Sequence, residues 1–217
     1  FKRKVQPDVA EGPPPRAVVA AAVPLSGPEA KRYALARVKQ TAEQWQKDAW
    51  YYYDAIGELS GPTNWIANAV SKADLFGAML DPATGLVTGP TNDVRAQQAA
   101  ALCLGGAAKR AQLQFLMAVC WQIPGEAYVV VRGRPEAKGV PQPDEWLVLS
   151  GQKVTPKGTR WTYEDPVTLE WIELRPSDRL IRVWSPHPND QSKANSAVRP
   201  ALPVLREIEA DKKEKRS

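Results

Sequence analysis

The spacing of apolar residues changes along the chain from a helical repeat to a strand repeat. From Ala30 to Leu59 apolar residues recur every three or four positions. This spacing predicts a helix of roughly 30 residues, about 45 Å long. Ser26, Pro28 and Glu29 supply its start signal. Because a small single core does not need so long a helix, we expect it to reach a larger body or a partner.

A Ser-Gly-Pro-Thr break at residues 60–63 is predicted to separate this helix from a second one, which Thr63 would cap. Just before the break, four consecutive residues from Trp50 to Tyr53 are aromatic. Successive helical positions are turned by about 100°, so these side chains cannot share one face. They must be covered on several sides, by their own domain or by a neighbouring subunit. The second helix is predicted to bury Trp65, Ile66, Ala69, Val70 and Ala73.

Two more helices are predicted before the repeat changes. A short apolar strand at 75–80 and a turn at 81–85 precede a third helix, which Thr91 or Asn92 would cap and which runs to about Leu104. Gly105 and Gly106 break it. A fourth helix is predicted at 107–121, with Ala108, Ala111, Phe115, Leu116 and Val119 facing inward.

The second half alternates apolar and polar residues, which predicts β-strands at 126–132, 145–149, 159–163, 168–174 and 179–184, with a hairpin around 164–167. Four tryptophans fall one per strand. They are expected to build the core of a small antiparallel sheet. The alternative is an aromatic platform for sugars or bases, which the exposure of these side chains would reveal. The four are Trp146, Trp161, Trp171 and Trp184.

A loop at 185–195 is predicted to lead into a last helix at 196–212, which Ser196 would cap. This helix is expected to continue beyond the sequence. Its inner face would carry Val198, Ala201, Leu202, Leu205 and Ile208, while Pro200 and Pro203 stiffen its start.

The predicted fold class is therefore α+β, with a long N-terminal helix and further helices packed on a small antiparallel sheet. Residues 1–25, rich in Pro, Ala and Val, would form an extended arm that is either a disordered tail or a segment lying along a neighbour. Residues 26–217 would form one domain, helical over 26–121, mainly β over 123–184 and helical again over 196–212.

Composition narrows the functional classes. The hydrophobic content of 43% and charged content of 24% are ordinary for a globular protein. There is no apolar run of membrane-spanning length and no signal-peptide pattern. The net charge of +5 is dispersed, with +2 on residues 1–16, +1 on residues 206–217 and +2 on the rest. A dedicated nucleic-acid binder usually concentrates more positive charge on one face.

No catalytic, cofactor-binding or metal-binding residue is predicted. Cys103 and Cys120 fit no metal-ligand spacing and are expected to be buried thiols rather than a disulfide. His187 is the only histidine, which argues against a histidine metal site or a Cys–His catalytic pair. No nucleophile elbow, phosphate loop or zinc spacing occurs. Carboxylates that only the fold brings together would not show in the sequence.

Several segments carry a resemblance to a known family. One spans 45–73 and includes Ala49, Trp50, Tyr53, Asp54, Gly57, Glu58 and Leu59, followed by Trp65, Ile66, Ala67, Asn68, Ala69, Ser71 and Ala73. Another is the Ile-Pro-Gly-Glu-Ala-Tyr run at 123–128. The last spans 179–188 and continues over 195–209. In this order the segments resemble the N-terminal, wing-like half of portal proteins of tailed bacteriophages, of the type found in siphoviruses of actinobacteria. The specificity lies in the combination, which covers residues 45–209.

The resemblance implies a non-enzymatic virion protein that assembles in the host cytoplasm as a homo-oligomer, a ring of twelve subunits at one capsid vertex. Double-stranded DNA would pass through the ring during packaging by the terminase and again during ejection. The ring would also contact the major capsid protein and the head–tail adaptor, with no cofactor and no membrane. The family's stem, clip and crown would lie downstream and are largely absent, so no DNA-contact residue is assigned.

Three other interpretations remain at this stage. Another head–tail structural or adaptor protein would also oligomerise, but with a different symmetry. A Trp-rich ligand-binding module would be a monomer with solvent-exposed Trp146, Trp161 or Trp171. An enzyme would show carboxylates clustered in a pocket.

Overall fold

The computed structural model describes residues 21–24, 43–133, 144–158 and 160–214, with the backbone alone for 21–24 and Lys213. These residues form five α-helices and eleven β-strands, so the predicted α+β class is confirmed. Residues 26–42, the first half of the predicted long helix, lie outside the described residues, as does most of the predicted arm. The exception in the arm is residues 21–24, which form a strand.

The helices follow in chain order as α1 Gln44–Ala55, α2 Gly57–Ser71, α3 Val94–Leu102, α4 Arg110–Gln122 and α5 Val198–Glu214. The strands in chain order are β1 Ala21–Pro24, β2 Ala78–Leu80, β3 Val87–Pro90, β4 Glu126–Arg132, β5 Glu145–Leu149, β6 Val154–Lys157, β7 Arg160–Glu164, β8 Trp171–Glu173, β9 Arg179–Trp184, β10 Pro186–His187 and β11 Asp190–Ala194.

A four-stranded antiparallel sheet, in the order β1-β9-β4-β5, forms the centre of the molecule. Alternation along β4 sends Ala127 and Val129 toward α4, where they share a core cluster with Cys120. Tyr128 and Val130 point the other way and pack with residues of the three-stranded sheet β6-β7-β8. The chain is therefore layered as helices, central sheet and small sheet.

A second core on the helical side joins α1, α2, α4 and α5. It covers most of the aromatic run: Tyr52 is buried, and Trp50 and Tyr53 are partly buried with their rings edge to face at 5.5 Å. Only Tyr51 of the four is exposed, and its hydroxyl donates a hydrogen bond to Glu209 of α5. The chain's own helices thus cover these aromatics without a neighbouring subunit.

The break between the first two helices lies at Ile56, not at residues 60–63 as predicted. Ile56 is extended, with φ −123° and ψ 106°, and its side chain is fully buried. The helix α2 then runs through Pro62. Because Pro62 has no N–H, the backbone carbonyl of Glu58 lacks its helical hydrogen bond, but Glu58 is exposed and water can supply one. Thr63 does not cap this helix; its hydroxyl donates to the carbonyl of Leu59 within it, at 2.8 Å.

The predicted cap of the third helix was also wrong. Asp93 caps α3, because its carboxylate accepts hydrogen bonds from Arg95 N at 2.7 Å and Ala96 N at 3.4 Å. Thr91 instead accepts a hydrogen bond from the N–H of Asp93. The predicted break at Gly105 and Gly106 is confirmed, since both adopt a positive φ.

The inner face of α4 differs from the prediction. Val119 is buried as expected and Phe115 is partly buried, but Ala108, Ala111 and Leu116 are exposed. Gln114 is buried instead, and its side-chain amide donates a hydrogen bond to the backbone carbonyl of Ala73, just after α2. Such polar anchors do not show in an apolar pattern. The buried set of this helix is Leu113, Gln114, Ala118, Val119 and Cys120.

Three predicted strands, now β4, β5 and β9, have the predicted bounds. The hairpin around 164–167 is confirmed as β7–β8. The predicted loop at 185–195 is instead the short hairpin β10–β11, and β3 and β6 were not predicted. The last helix is capped as predicted, with Val198 N donating to Ser196 Oγ at 3.2 Å, and Val198, Leu202 and Leu205 are buried.

Candidate interaction surfaces

The stretch from residue 68 to residue 103 contains no buried residue, although the structure describes all of it. It comprises the end of α2, the hairpin β2–β3 and α3, and we call it the lobe. A two-stranded hairpin alone is at best marginally stable in water. A helix usually buries one apolar face, and α3 buries none. The lobe therefore lacks the covering that such elements ordinarily need.

The lobe and the preceding turn of α2 expose many large apolar side chains. Trp65 is 75% exposed, the most of any tryptophan. Together these side chains expose on the order of 1,000 Å², against about 800 Å² that each partner buries in a standard interface. We call this set the lobe surface; it consists of Trp65, Ile66, Val70, Leu75, Phe76, Met79, Leu80, Leu86, Val87, Val94 and Leu102.

The exposed face of α2 is the face that the sequence predicted to be buried. All five predicted inward residues, including Trp65 and Ile66, are exposed. The residues that face the core are Thr63 and Ala67, which are small and allow α2 to lie close against α4. The pattern identified the apolar face correctly, but no part of the described chain covers that face.

Polar contacts, not a core, anchor the lobe. Gln114 of α4 donates its side-chain amide to the carbonyl of Ala73, at 3.0 Å. Gln97 of α3 donates to the carbonyl of Thr91 at the end of the hairpin, at 2.6 Å. Arg110 of α4 donates to two carbonyls at the end of α3. These bonds fix the lobe on the helical layer and leave its apolar side chains facing solvent.

A second apolar patch lies on the small sheet, in and beside the connection between β7 and β8. Its three large apolar side chains are 87%, 67% and 52% exposed, and we call this patch the tip. It consists of Val167, Leu169 and Trp171.

The tip is held in one shape. The buried carboxylate of Asp165 accepts hydrogen bonds from Val167 N at 2.9 Å and Thr168 N at 3.2 Å, and lies 3.4 Å from Arg132. Leu169 has a φ of 59°, a left-handed conformation that costs roughly 1–2 kcal/mol for a residue with a side chain. The surrounding bonds thus maintain a strained residue whose side chain faces solvent, a combination that often marks a functional surface.

The lobe and the tip lie on opposite faces of the central sheet and toward the same end of it. The lobe leads into Leu104, which shares a core cluster with Leu113 of α4 and Val131. The tip is tied through Asp165 to Arg132, the last residue of β4. The lobe is therefore attached on the α4 side of the central sheet and the tip on the side of the small sheet, both near the end of β4.

The tryptophans of the sheets do not form a platform. Trp161 is buried in the core between the central sheet and the small sheet. Trp146 is partly buried on the opposite face of the central sheet, beside α4. Trp184 is partly buried, lies under the guanidinium of Arg182 at 4.7 Å and donates to a carbonyl. Trp171 is half exposed. The predicted core role is thus confirmed for Trp161 and wrong for Trp171.

The candidate chemical groups of the sequence are dispersed. Both cysteines are free; Cys120 is buried, and this burial raises the pKa of its thiol to about 12, while Cys103 is only partly buried. His187 accepts a hydrogen bond from Asn189 N through Nδ1. Over the described residues, no group of three His, Cys, Asp or Glu side chains could hold a metal ion. No helix in the same part of the chain is long and apolar enough to span a membrane.

A cavity of about 330 Å³ lies where β4 meets the small sheet, and the charged side chains that line it form ion pairs, Glu173 with Arg160 outside the lining. Arg132 contacts Glu145 at 2.6 Å, and Arg175 contacts Asp178 at 2.9 Å. A second groove, of about 430 Å³, is mainly apolar and lies between α2, α4 and α5.

A buried polar cluster joins three distant parts of the chain. Glu126 contacts Arg182 at 2.7 Å, and Gln46 donates to Glu126 at 2.9 Å and to the carbonyl of Pro124 at 2.8 Å. All three charged or polar side chains are buried. The cluster fixes α1 against the start of β4 and against β9. Each polar atom in it has a partner within the protein, so its role is structural.

Acidification is expected to weaken the anchoring of the tip. The hydrogen bond from Val167 N holds the pKa of Asp165 below its usual value, so its contribution to stability is present above about pH 4 and is lost as the pH falls through the lowered pKa. Asp165→Asn should therefore cost about 1 kcal/mol at neutral pH and progressively less in acid. Urea unfolding of both proteins at several pH values measures this difference.

The matched control is Glu170→Gln, which changes an exposed carboxylate in the same connection. Its unfolding free energy should follow the wild type at every pH. A constant difference between Asp165→Asn and wild type down to low pH would show that the carboxylate's charge does not anchor the tip.

Comparisons of this chain with protein-family models, with curated proteins and with solved structures found no match. The interpretation of function therefore depends on the chain's own residues. Among its surfaces, the lobe surface and the tip differ most from what an isolated globular domain would expose.

Proposed function

We propose that this chain is a subunit of a bacteriophage portal, an oligomeric ring at one vertex of the capsid. In this role double-stranded DNA passes through the ring during packaging by the terminase and during ejection. The major capsid protein and the head–tail adaptor bind the outside of the ring. The observation that carries the proposal is the lobe, which has no buried residue and a large exposed apolar surface.

A ring subunit needs surfaces of this kind. Each copy in a ring contacts two neighbours through two different patches of its surface. Side chains that are exposed in one copy become buried in the ring, so elements without a core of their own can be stable there. The lobe surface and the tip provide two such patches on one chain.

The segments that resemble portal proteins pack together as one unit. The buried polar cluster takes Gln46 from the segment at 45–73, Glu126 from that at 123–128 and Arg182 from that at 179–188. The apolar core on the helical side likewise joins Ile56 and Ile123 with Leu202 from the segment at 195–209. The residues behind the resemblance therefore support one another physically.

The dispersed charge of the chain agrees with this role. A channel that conducts DNA must not hold it tightly, and affinity for DNA depends chiefly on contacts of Lys and Arg with phosphates. Within the described residues most of the arginines in the small sheet and around β4 are paired with carboxylates. The described part of the chain thus has little of the concentrated positive surface that would retain DNA.

Electron-microscopy class averages of the full-length chain test the proposal. We expect twelve-fold rings with a central hole wide enough for a DNA duplex. A monodisperse monomer would contradict the portal function. Rings of another symmetry would favour the rival interpretation, a different head–tail structural protein.

The two remaining rivals have less support. A Trp-rich ligand-binding module was expected to expose Trp146, Trp161 or Trp171. Trp171 is 52% exposed, but Trp161 is buried and Trp146 is partly buried on the opposite side of the central sheet, so the three do not form one binding face. An enzyme was expected to show carboxylates clustered in a pocket. The cavity beside Arg132 is lined by three, Glu145, Glu173 and Asp178, and each of them forms an ion pair with an arginine. Neither has an observation comparable to the lobe in its favour.

A further inference from the structure

Two separate apolar patches on one chain distinguish two kinds of self-association. In a two-fold dimer both copies use the same patch, so one apolar patch is enough. In a head-to-tail assembly each copy uses one patch toward the preceding copy and a different patch toward the next. The lobe surface and the tip are two different patches, attached on opposite faces of the central sheet, and so supply what the second arrangement uses.

We infer that the tip of one copy binds the lobe surface of the next copy, so that the chain assembles head to tail through these two patches. This contact rests on the proposed ring and adds the surfaces that form it.

The tip has the properties of an interface anchor. Its three exposed apolar side chains include a tryptophan, and residues of this type often contribute most of the binding free energy. The bonds of Asp165 hold the connection in shape before binding, so little ordering is required when a partner arrives. The lobe surface offers the wider apolar area that such an anchor needs.

The charges around the two patches favour a protein as the occupant. The lobe carries two cations, Lys72 and Arg95, against the three carboxylates of Asp74, Asp81 and Asp93. A surface for nucleic acid or for anionic lipid would have an excess of Lys and Arg. The connection that carries the tip contains two carboxylates and no cation. Both patches are apolar and neither carries an excess of positive charge, so their apolar side chains would make the contact between two copies.

Charged substitutions in each patch of the full-length chain test the contact. The lobe variant combines Phe76→Glu with Leu80→Glu, and the tip variant combines Val167→Glu with Leu169→Glu. Each is expected to reduce the particle mass, measured by light scattering, from that of the ring to that of a monomer. The control is Val204→Glu on α5, which should assemble as wild type although Val204 is exposed to 56%, against 57% for Phe76.

Mixing the two variants gives the sharper result. The lobe variant keeps an intact tip, and the tip variant keeps an intact lobe surface, so one junction can form and no more. An equimolar mixture should therefore give a one-to-one dimer and no larger particle. A mixture that stays monomeric, or a tip variant that assembles as wild type, would overturn the inference. Dissociation by Val204→Glu to the same extent would overturn it as well.

These outcomes separate the contact from the portal function. Twelve-fold rings that survive both double variants would leave the portal proposal standing and exclude this contact. Particles of another symmetry that both variants dissociate would exclude the portal and retain the contact. Because all substituted side chains are exposed, the variants should unfold at the wild-type temperature. The single substitutions Leu80→Glu and Val167→Glu replace any double variant that fails this check.

Discussion

Replacing Glu126 with alanine is expected to lower the free energy of unfolding by about 3–5 kcal/mol. The carboxylate is buried and lies 2.7 Å from the guanidinium of Arg182, which is buried as well. The variant would leave the cation without its only carboxylate partner in the cluster, and Gln46 without one of its two acceptors. A buried charge that loses its partner costs far more than a surface ion pair contributes.

The matched control is Glu173→Ala. Glu173 is also a strand residue and forms an ion pair with Arg160, but both side chains are well exposed. We expect it to cost less than about 1 kcal/mol, because solvent screens the pair. Urea unfolding of the two variants and wild type at neutral pH measures both effects. Equal losses for Glu126→Ala and Glu173→Ala would show that the cluster does not hold the three segments together.

The sequence contains part of the signal for this cluster. Glu126 stands on the same alternating face of β4 as Tyr128 and Val130, which are buried, so the strand pattern places a carboxylate inside. Its partners could not be predicted in the same way. Gln46 lies in helix α1, 80 positions away along the chain, and only the packing of α1 against the end of α4 brings the two together.

The positions of β4, β5 and β9 were predictable because each is a run of five to seven residues rich in β-branched, aromatic and other apolar side chains. The short strands β3, β6 and β10 have two to four residues, too few for a repeat to be detected, and β11 is polar at its first four positions, so it shows no apolar pattern. The helix break at Ile56 was missed for another reason. Gly61 and Pro62 are residues that often end helices, but the helix breaks at Ile56, where burial of the side chain determines the bend.

The face of α2 shows a limit of sequence patterns. Apolar periodicity identifies a face that needs to be covered, but does not say whether the same chain or another molecule covers it. Trp65 and Ile66 satisfy the pattern and yet face solvent, while the small residues Thr63 and Ala67 meet α4. The same ambiguity applied to the aromatic run at Trp50, which the chain's own helices cover. Only the structure separates these two cases.

Gly125→Ala is expected to have the second large effect, a loss of roughly 3–5 kcal/mol, from a left-handed backbone and from steric overlap together. Gly125 has a φ of +75°, and an added Cβ would lie 2.2 Å from the carbonyl oxygen of Asn195. That contact cannot relax easily, because two backbone hydrogen bonds hold both residues in place. Asn195 N donates to the carbonyl of Ser185 at 2.8 Å, and Ser185 N donates to the carbonyl of Gly125 at 2.9 Å. The overlap is therefore with backbone that these bonds hold in place.

Two other glycines separate the contributions. Gly158 has a φ of +63° with nothing within 4 Å of an added Cβ, so Gly158→Ala should lose only the conformational part, about 1–2 kcal/mol. Gly57 lies at the start of α2 with equally open space and no positive φ, so Gly57→Ala should raise the free energy of unfolding by up to about 1 kcal/mol. If urea unfolding gave the same loss for Gly125→Ala as for Gly158→Ala, the close approach of residues 125 and 195 would be wrong. A larger loss for Gly125→Ala than for Gly158→Ala would instead show that the turn before β4 packs closely against Asn195, which follows β11.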